Sequence, residues 1–376
     1  MRPPMSSPDS PPPAGRPRSG TLASIPTGPE DISASWITQI LQSAGHDVAI
    51  RDVVVEPIGT GQMASSLRVT PTYTDPADAP RSMVVKIASH DPNSRQAGAR
   101  GAYLKEVRFY QEFADDLPVA TPGSLWADVD VDTNDFAIVL EDMAPATQGD
   151  QIAGSDVASV FAAAINIAGL HAPHWGDTTL FDKAWLTAPR DQRNAGYAEL
   201  KTIVAMVTPG FIDRYQDRLN QTQIAHLEWF AETVDSWLLN DGGRFALTHG
   251  DHRLDNLLFS AKASADRPVT VVDWQTIAVR NPVADISYLL GTSVESTVRR
   301  EIEDDVVARY HRALHELGVT GYDLADCLDD YRNQTPHALL LTVLGSMLTE
   351  QTDRGDDMFM AMLHRSSQQM TDLGVR

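Results

Sequence analysis

The sequence is nearly without cysteine, because Cys327 is the only one among 376 residues. A single thiol cannot form an internal disulfide, so nothing in the chain depends on an oxidising compartment, and we expect a cytoplasmic protein. The first 28 residues lack the apolar core of a signal peptide. They are rich in proline, serine and glycine and cannot bury enough surface to become ordered, so we expect residues 1–28 to be a disordered tail.

Basic residues are scarce compared with acidic ones. The chain has 30 Lys and Arg against 51 Asp and Glu, which gives a formal charge of −21. Such a surface repels phosphate backbones and anionic lipids, so we expect neither nucleic acid nor a membrane as a partner. The charge could attract a cationic substrate or could serve solubility alone. The 42% of hydrophobic residues is typical of a soluble globular protein.

The length predicts two packed lobes, because a single core rarely grows to this size. The first part alternates strand patterns with two helical patterns. Helices are predicted at Ile32–Ala44 and Ala99–Phe113, and strands at Val53–Ile58, Leu67–Tyr73, Met83–Ala88 and Phe136–Leu140. We therefore expect a lobe at residues 29–143 built on a small antiparallel sheet with one key helix.

The second part, residues 144–376, is predicted to be mostly helical. Asp156–Leu170 and long amphipathic stretches over about 190–240 and 295–370 carry the helical pattern. One β-rich segment interrupts them. Its strands are predicted at Phe245–Thr248, Leu257–Ser260 and Val269–Val272, with a turn at residues 264–268. The sequence shows no internal repeat.

A polar cluster lies between the first two strands of this β-rich segment. It runs His249, Gly250, Asp251, His252, Arg253, Leu254, Asp255, Asn256. If the two following strands pair as an antiparallel hairpin, Asn256 and Asp273 become neighbours across it. An amide oxygen and a carboxylate are hard ligands that suit Mg²⁺, which completes its shell with water and substrate phosphates. The hairpin is therefore a candidate magnesium site.

Asp251 is the candidate catalytic base. It stands five residues before Asn256, at the end of its own strand, where it could accept a proton from a substrate hydroxyl or orient it. The spacing Asp-x-x-x-x-Asn is used by phosphoryl-transfer enzymes of the protein-kinase type. Asp255 fits a turn or a role in orienting Asn256 better than it fits the base.

The upstream part offers candidates for the nucleotide-binding groups that a kinase needs. Gly59 and Gly61, followed by Ser65, join two strands and permit close approach to phosphate, although a plain hairpin loop is the alternative. Lys86 follows the apolar run Met83–Val85 within a predicted strand, and its ammonium needs an anion unless it reaches solvent. Glu106 lies on the apolar face of a helix and needs a partner. We expect Lys86 and Glu106 to pair.

Glu141 and Met143 follow the predicted strand at Phe136–Leu140. This segment is expected to cross between the lobes, where backbone groups would meet an adenine ring. Met143 would supply an apolar contact to that ring, with ordinary packing as the alternative.

Together these motifs resemble the aminoglycoside phosphotransferase and choline kinase-like superfamily, particularly bacterial members close to the ecdysteroid-kinase-like branch. The resemblance extends from about residue 32 to the C-terminus. It rests most on His249-Gly-Asp251 with Asn256 and on the Val-Asp273-Trp-Gln segment. It implies an α+β, two-lobed protein-kinase-like fold that uses ATP or GTP with Mg²⁺.

The resemblance also implies the roles of individual residues. Asp251 is implied as the catalytic base, Asn256 and Asp273 as Mg²⁺ ligands, Lys86 and Glu106 as the ion pair that positions phosphate, and Asp285 as a buttress of the catalytic loop. His249 is expected to shape that loop. The glycine loop departs from the family pattern, which leaves open which backbone groups hold the phosphates.

The resulting hypothesis is transfer of the γ-phosphate of ATP to a hydroxyl of a small molecule. A catalytically silent nucleotide-binding module of the same fold is the first alternative. A zinc hydrolase using His249, Asp251 and His252 is the second, but adjacent residues point apart on a strand. The acceptor stays open among aminoglycosides, other antibiotics, sugars, amino alcohols and sterol-like alcohols, and so does the oligomeric state.

Overall fold

The structure, a computed structural model, describes residues 24–59, 63–75, 78–188, 192–240, 242–260 and 267–375. Gly61 of the expected nucleotide loop and residues 264–266 of the expected turn lie outside the described residues. So does most of the expected tail, residues 1–23. In the part of that tail that is described, the Ser24 carbonyl accepts a hydrogen bond of 2.9 Å from the indole of Trp36.

The N-terminal lobe is a five-stranded antiparallel sheet in the order β1-β2-β3-β5-β4. Its strands are β1 (Ile50–Ile58), β2 (Ala64–Tyr73), β3 (Met83–Ala88), β4 (Ser124–Asp130) and β5 (Asp135–Glu141). Helix α1 (Ala34–Ser43) covers one face, where Trp36 and Trp126 meet edge to face with ring centroids 5.6 Å apart. The sequence analysis did not predict β4.

The central strand β3 carries apolar side chains on one face of the sheet and Lys86 on the other. Val85 and Ile87 are fully buried on one face of the sheet. Lys86 faces the other side of the sheet and has its cross-strand partner Ser66 on β2. Because this strand is packed on both faces, its backbone is held firmly, and the position of the Lys86 side chain is well fixed.

The helix predicted at Ala99–Phe113 begins later than expected. A short helix α2 (Pro92–Ala97) and an irregular turn at Gly98–Ala102 precede the regular helix α3 (Tyr103–Glu112). The break falls at Gly101, whose φ of 110° no other residue type adopts easily. The helical spacing of apolar residues continues through this turn, so periodicity alone could not locate the break.

The C-terminal lobe is mostly helical, as expected. Its helices are α4 (Val157–His171), α5 (Arg193–Arg214), α6 (Gln221–Leu239), α7 (Val283–Ser293), α8 (Ser296–Glu316), α9 (Leu324–Asn333), α10 (His337–Leu348) and α11 (Asp353–Leu373). Its strands are β6 (Thr147–Gln148), β7 (Ala246–Thr248), β8 (Leu257–Phe259), β9 (Val269–Val271) and β10 (Ala278–Arg280). The predicted hairpin is confirmed: β8 pairs antiparallel with β9. The short strands β6 and β10 were not predicted.

Helix α4 lies at the centre of this lobe. Within the described residues, Val157–His174 is the one stretch long and apolar enough to cross a membrane by length and composition, and half of it is buried inside the protein. Val160, Ala164 and Ile167 on this helix are fully buried and join the core that both lobes share. The contacts of α4 are those of a core helix.

The segment that leads into β4 joins the two lobes. Ala120 donates its N–H to Asn166 Oδ1 on α4 (2.9 Å) and accepts a hydrogen bond from the N–H of Val271 on β9 (2.8 Å). The Thr121 hydroxyl donates to the carbonyl of Val271 (3.1 Å) and accepts from the indole of Trp274 (3.1 Å). The segment therefore fixes the β8–β9 hairpin against the sheet lobe.

Close approach to this segment depends on Gly169 of α4. A Cβ at that position would lie 2.5 Å from the backbone nitrogen of Val119. We expect Gly169→Ala to lower the free energy of unfolding by about 1–3 kcal/mol, because backbone must move to make room. Gly196→Ala in α5, where a Cβ meets no atom within 4 Å, is the matched control.

The control should be neutral or stabilising by up to about 1 kcal/mol, because alanine favours a helix over glycine. Urea unfolding followed by circular dichroism measures both variants. Equal stability of the two alanine variants would contradict the close contact at Gly169.

Candidate functional site

The two lobes enclose a cleft of about 810 Å³. Its walls bring together most of the residues that the sequence analysis selected, namely Gly59, Lys86, Glu106, Glu141, Met143, Asp251, Asn256 and Asp273. On β2 the residue in the cleft wall is Ser66, the neighbour of the expected Ser65. Ser65 pairs with Ile87 across the sheet, which directs its side chain to the opposite face from Lys86. His249 and Asp285 lie behind the wall.

Lys86 is the centre of an ionic cluster between the lobes. Its Nζ lies 2.7 Å from Glu106 Oε2 and 3.1 Å from Asp273 Oδ1. Gln275 donates a further hydrogen bond of 3.1 Å from Nε2 to Glu106 Oε2. The expected pairing of Lys86 with Glu106 is therefore present, and it extends to a carboxylate of the other lobe.

The two carboxylates of this cluster differ in their surroundings. Glu106 is almost completely buried, and this burial raises the pKa of its carboxyl, although Lys86 opposes the change. For Asp273 burial also acts to raise the pKa, but the charge and hydrogen bond of Lys86 outweigh it, so the pKa lies below its ordinary value. Asp273 therefore stays ionised at the cleft.

Asp273 has an unusual backbone conformation. Its φ of 67° and ψ of 73° lie in the left-handed region, which aspartate adopts more readily than most residues. The turn follows β9 directly and ends the strand, and the N–H of Val272 donates to the Asn256 carbonyl across the hairpin (3.0 Å). Asn256 and Asp273 thus come to the same end of the hairpin.

The donor atoms at this end suit a magnesium ion. The Asn256 side chain uses its amide nitrogen in its described hydrogen bonds, both of which go to Asp251, so its oxygen is available as a ligand. Asp273 lines the cleft and contacts Lys86 through Oδ1, so its other oxygen is available as a ligand. An amide oxygen with a carboxylate is a hard-oxygen set that fits Mg²⁺.

Asp251 is held by donors from three side chains. Tyr288 on α7 donates from its hydroxyl to Oδ1 (2.8 Å), and Asn256 donates from Nδ2 to Oδ2 (2.9 Å). Arg253 forms an ion pair with the same carboxylate at 3.0 Å. Burial raises the pKa of Tyr288 well above its ordinary value, so its hydroxyl stays a donor. The carboxylate is fixed in orientation at the cleft wall.

Asp285 holds the catalytic loop from behind. Its carboxylate accepts hydrogen bonds from the backbone N–H groups of His249 (2.7 Å) and Gly250 (2.9 Å) and contacts His171 Nε2 at 3.0 Å. Although burial acts to raise the pKa of this fully buried carboxyl, the hydrogen bond and charge of His171 lower it far below its usual range. These contacts agree with the expected buttress.

The crossover between the lobes is anchored by Asp142, whose role the sequence analysis missed. Arg68 on β2 forms two hydrogen bonds with its carboxylate (2.7 and 3.2 Å), and the Ser82 hydroxyl donates a third (2.7 Å). The neighbouring Glu141 pairs with Arg267 (3.1 Å), and both Glu141 and Met143 line the cleft. Arg68 lies two residues after Ser66 on the same face of β2, which is a signal that could have suggested this contact.

The wall opposite the sheet lobe comes from three C-terminal helices. It is largely apolar and consists of Tyr288 of α7, Leu341 and Gly345 of α10, and Met358, Phe359 and Met362 of α11. The same side is also lined by Thr349, Glu350, Thr352, Arg354 and Gly355. The sequence carries no motif for this wall, because its residues come from distant helices and share only their apolar character.

A sheet-based lobe and a mostly helical lobe around a cleft with this ionic cluster define a protein of the two-lobed, protein-kinase-like fold. The fold is also that of a solved ethanolamine kinase from Plasmodium vivax. The two share 10% sequence identity with a TM-score of 0.54, and the alignment covers 92% of this chain and 90% of the other. The expected fold class is confirmed.

A comparison with family models matches residues 188–319 to the ecdysteroid kinase-like family. Other similar structures are a choline kinase from Cryptosporidium parvum (11% identity, 86% of this chain and 91% of that one, TM-score 0.48) and the GDP complex of an aminoglycoside 2′-phosphotransferase (14%, 89% and 98%, 0.49). A search of curated proteins found no match. The family match confirms the expected resemblance to the ecdysteroid-kinase-like branch over residues 188–319.

Two buried histidines lie next to the catalytic loop. His252, beside Asp251, is completely buried, and burial lowers its pKa to about 3. His337 on α10 contacts the carbonyl of Gly250 through Nε2 (2.7 Å), and burial lowers its pKa to about 4. Both imidazoles are therefore neutral in the folded protein at neutral pH.

These two pKa values predict loss of stability in mild acid. Below about pH 6.5 the unfolded chain binds protons at these histidines and the folded chain does not, so the free energy of unfolding falls as pH falls toward 4. Each group contributes up to about 1.4 kcal/mol per pH unit in that window. Urea unfolding between pH 7 and pH 4 measures the slope.

The variant His252→Leu should take up as much as one proton fewer on unfolding, so its unfolding free energy should depend less steeply on pH. Substitution of the exposed His90 by Leu is the control and should leave the slope unchanged. If His252→Leu and the parent protein lose stability with the same slope, His252 is not buried in its neutral form.

Proposed function

We propose that the protein is an ATP- and Mg²⁺-dependent phosphotransferase that moves a γ-phosphate to a hydroxyl of a small molecule. The observation that carries this proposal is the meeting of Lys86, Asp251, Asn256 and Asp273 at one cleft. A kinase-type site needs a phosphate-binding lysine, an aspartate beside the acceptor and oxygen ligands for a metal. In the proposal Lys86 is the lysine, Asp251 is the aspartate, and Asn256 and Asp273 are the metal ligands.

In the proposed reaction the protein acts mainly by positioning and by neutralising charge. Lys86, held by Glu106, binds phosphate oxygens of the nucleotide. Asn256 and Asp273 would hold Mg²⁺, which supplies positive charge to the phosphates. Asp251 orients the acceptor hydroxyl and takes its proton as the oxygen forms its bond to phosphorus and the bond to the leaving ADP breaks.

The cleft wall favours one kind of acceptor over another. The α10 and α11 side of the cleft offers Leu341, Met358, Phe359 and Met362, which would pack against an apolar body. A polycationic aminoglycoside needs several carboxylates instead, and on this side of the cleft Glu350 is the acidic residue among the described lining residues and is accompanied by the cationic Arg354. Within the proposed function, an alcohol with an apolar body and little positive charge is therefore the favoured acceptor class.

The alternatives from the sequence analysis find less support. A zinc hydrolase would need a cluster of ligands, and no group of three or more His, Cys, Asp or Glu suited to a metal occurs in the described residues. For a silent nucleotide-binding module, nothing explains why Asp251 is held by Tyr288, Arg253 and Asn256 at the cleft.

A direct test is ADP production against a library of hydroxylated compounds, with Asp251→Asn as the variant. We expect transfer to fall by at least about 1,000-fold, because the variant cannot take the proton, while Mg·ATP binding stays within about threefold. Asp75→Asn, an exposed aspartate on the sheet lobe, is the control. An Asp251→Asn protein that turns over normally would refute the assigned role.

The same library separates a kinase from a silent module. If the parent protein binds Mg·ATP by calorimetry but forms no ADP with any alcohol, the silent module gains support. Transfer to compact polycations in preference to apolar alcohols would contradict the proposed acceptor class and leave the phosphotransferase itself intact.

Lys86 gives a second test. We expect Lys86→Met to weaken Mg·ATP binding and lower kcat/KM for ATP by about 100-fold or more, because it removes the phosphate ligand and leaves Glu106 without its ion-pair partner. Lys201→Met is the matched control, since Lys201 pairs with Asp235 at the surface (2.9 Å). Steady-state kinetics with ATP varied would show equal KM values for the two variants if Lys86 did not touch the nucleotide.

A further inference from the structure

Two histidines near the end of helix α8 bring their ring nitrogens together, away from the cleft. His311 and His315 are one helical turn apart, so their side chains share a face. Their Nε2 atoms are 3.1 Å apart, and both approach the main-chain carbonyl oxygen of Tyr322, at 3.0 Å from His311 and 2.8 Å from His315. Three potential ligand atoms therefore form a small triangle.

The size of this triangle matches one face of a metal coordination shell. With metal–nitrogen bonds of about 2.1 Å, neighbouring ligand atoms lie about 3.0 Å apart in an octahedron and about 3.4 Å apart in a tetrahedron. The observed edges of 2.8, 3.0 and 3.1 Å fit the octahedral spacing. Imidazole nitrogens are preferred ligands of Ni²⁺, Cu²⁺ and Zn²⁺. Among these three ions, the octahedral spacing favours Ni²⁺.

The third ligand is held in place by its own side chain. The Tyr322 ring is buried, its hydroxyl donates to Asp330 Oδ2 (2.9 Å), and the guanidinium of Arg244 lies 5.4 Å from the ring centre. The carbonyl is thus fixed in front of the two imidazoles before any ion arrives. His315 is exposed, which gives solvent and an ion access to the open side of the triangle.

We propose that His311, His315 and the carbonyl of Tyr322 form a surface site for a divalent transition-metal ion, with water completing the shell. In the described residues no three His, Cys, Asp or Glu side chains form such a group, so the main-chain carbonyl is essential to the set. A bound ion ties the end of α8 to the segment that leads into α9. The site is independent of the phosphotransferase proposal, because none of its residues lines the cleft.

A simple alternative accounts for the same distances. If each ring carries its proton on Nε2, both can donate to the two lone pairs of the Tyr322 carbonyl without any metal. That arrangement then brings two N–H groups within 3.1 Å of each other, which is an unfavourable approach. The two arrangements differ in whether added metal binds, so titration separates them.

The experiment uses the full chain without a polyhistidine tag, titrated with Ni²⁺ and with Zn²⁺ in a calorimeter. We expect one equivalent of Ni²⁺ to bind with a Kd in the micromolar range and to raise the Tm by a few degrees, because the ion binds only the folded arrangement. His311→Gln and His315→Gln should each weaken this binding by at least about tenfold. His90→Gln, an exposed histidine on the other lobe, should leave it unchanged.

Anomalous diffraction at the nickel absorption edge locates the ion directly. A peak within about 2.3 Å of both Nε2 atoms supports the proposal. The proposal is overturned if the double variant His311→Gln/His315→Gln binds Ni²⁺ like the parent protein, or if neither metal binds the parent protein more tightly than millimolar. Circular dichroism and the Tm of the metal-free variants verify that loss of binding is not loss of folding.

Discussion

The position of Lys86 between Glu106 and Asp273 is the constraint on which the rest of the cleft depends. The lysine belongs to the central strand, Glu106 to helix α3 and Asp273 to the hairpin of the other lobe. A buried ammonium requires anionic partners, so the three elements must meet at this point. Phe109 of α3 also stacks on Trp274, the residue after Asp273, with ring centroids 3.7 Å apart. This contact holds α3 against the end of the hairpin.

Two carboxylates that share one ammonium are not equivalent. Burial makes the charged form of Glu106 costly, whereas the Asp273 side chain remains 37% exposed and faces the cleft. Under the proposed function, nucleotide and metal replace the Lys86–Asp273 contact when they bind. The Lys86 ammonium would then contact phosphate oxygens, and the Asp273 carboxylate would bind the metal. Glu106 then remains as the permanent partner, which explains why the more deeply buried acid is also the one with a second donor, Gln275.

Much of the fold was predictable because strand and helix periods are local properties of the sequence. Two short apolar runs predict the hairpin and bring Asn256 near Asp273, and the β8–β9 pairing agrees with this. The break at Gly101 and the pairing of Glu141 with Arg267 were not predictable, because the first depends on backbone geometry and the second on a residue far away in the sequence. Ser66, and not the expected Ser65, faces the cleft, because neighbouring residues of a strand point to opposite faces and the preceding loop does not reveal which face each one takes.

The apolar wall formed by α7, α10 and α11 could not be predicted, because its residues are far apart in the sequence and meet only in the folded protein. The same wall contacts the loop that carries Asp251. Arg354 at the start of α11 contacts Asp255 at 3.3 Å, and Arg253 reaches both Asp251 and the sulfur of Met358. A change in α11 that reshapes the wall therefore acts on the loop that carries Asp251. Under the proposed function, the residues that would choose the acceptor also position the group that activates it, so altered specificity and altered kcat should accompany each other in variants of this helix.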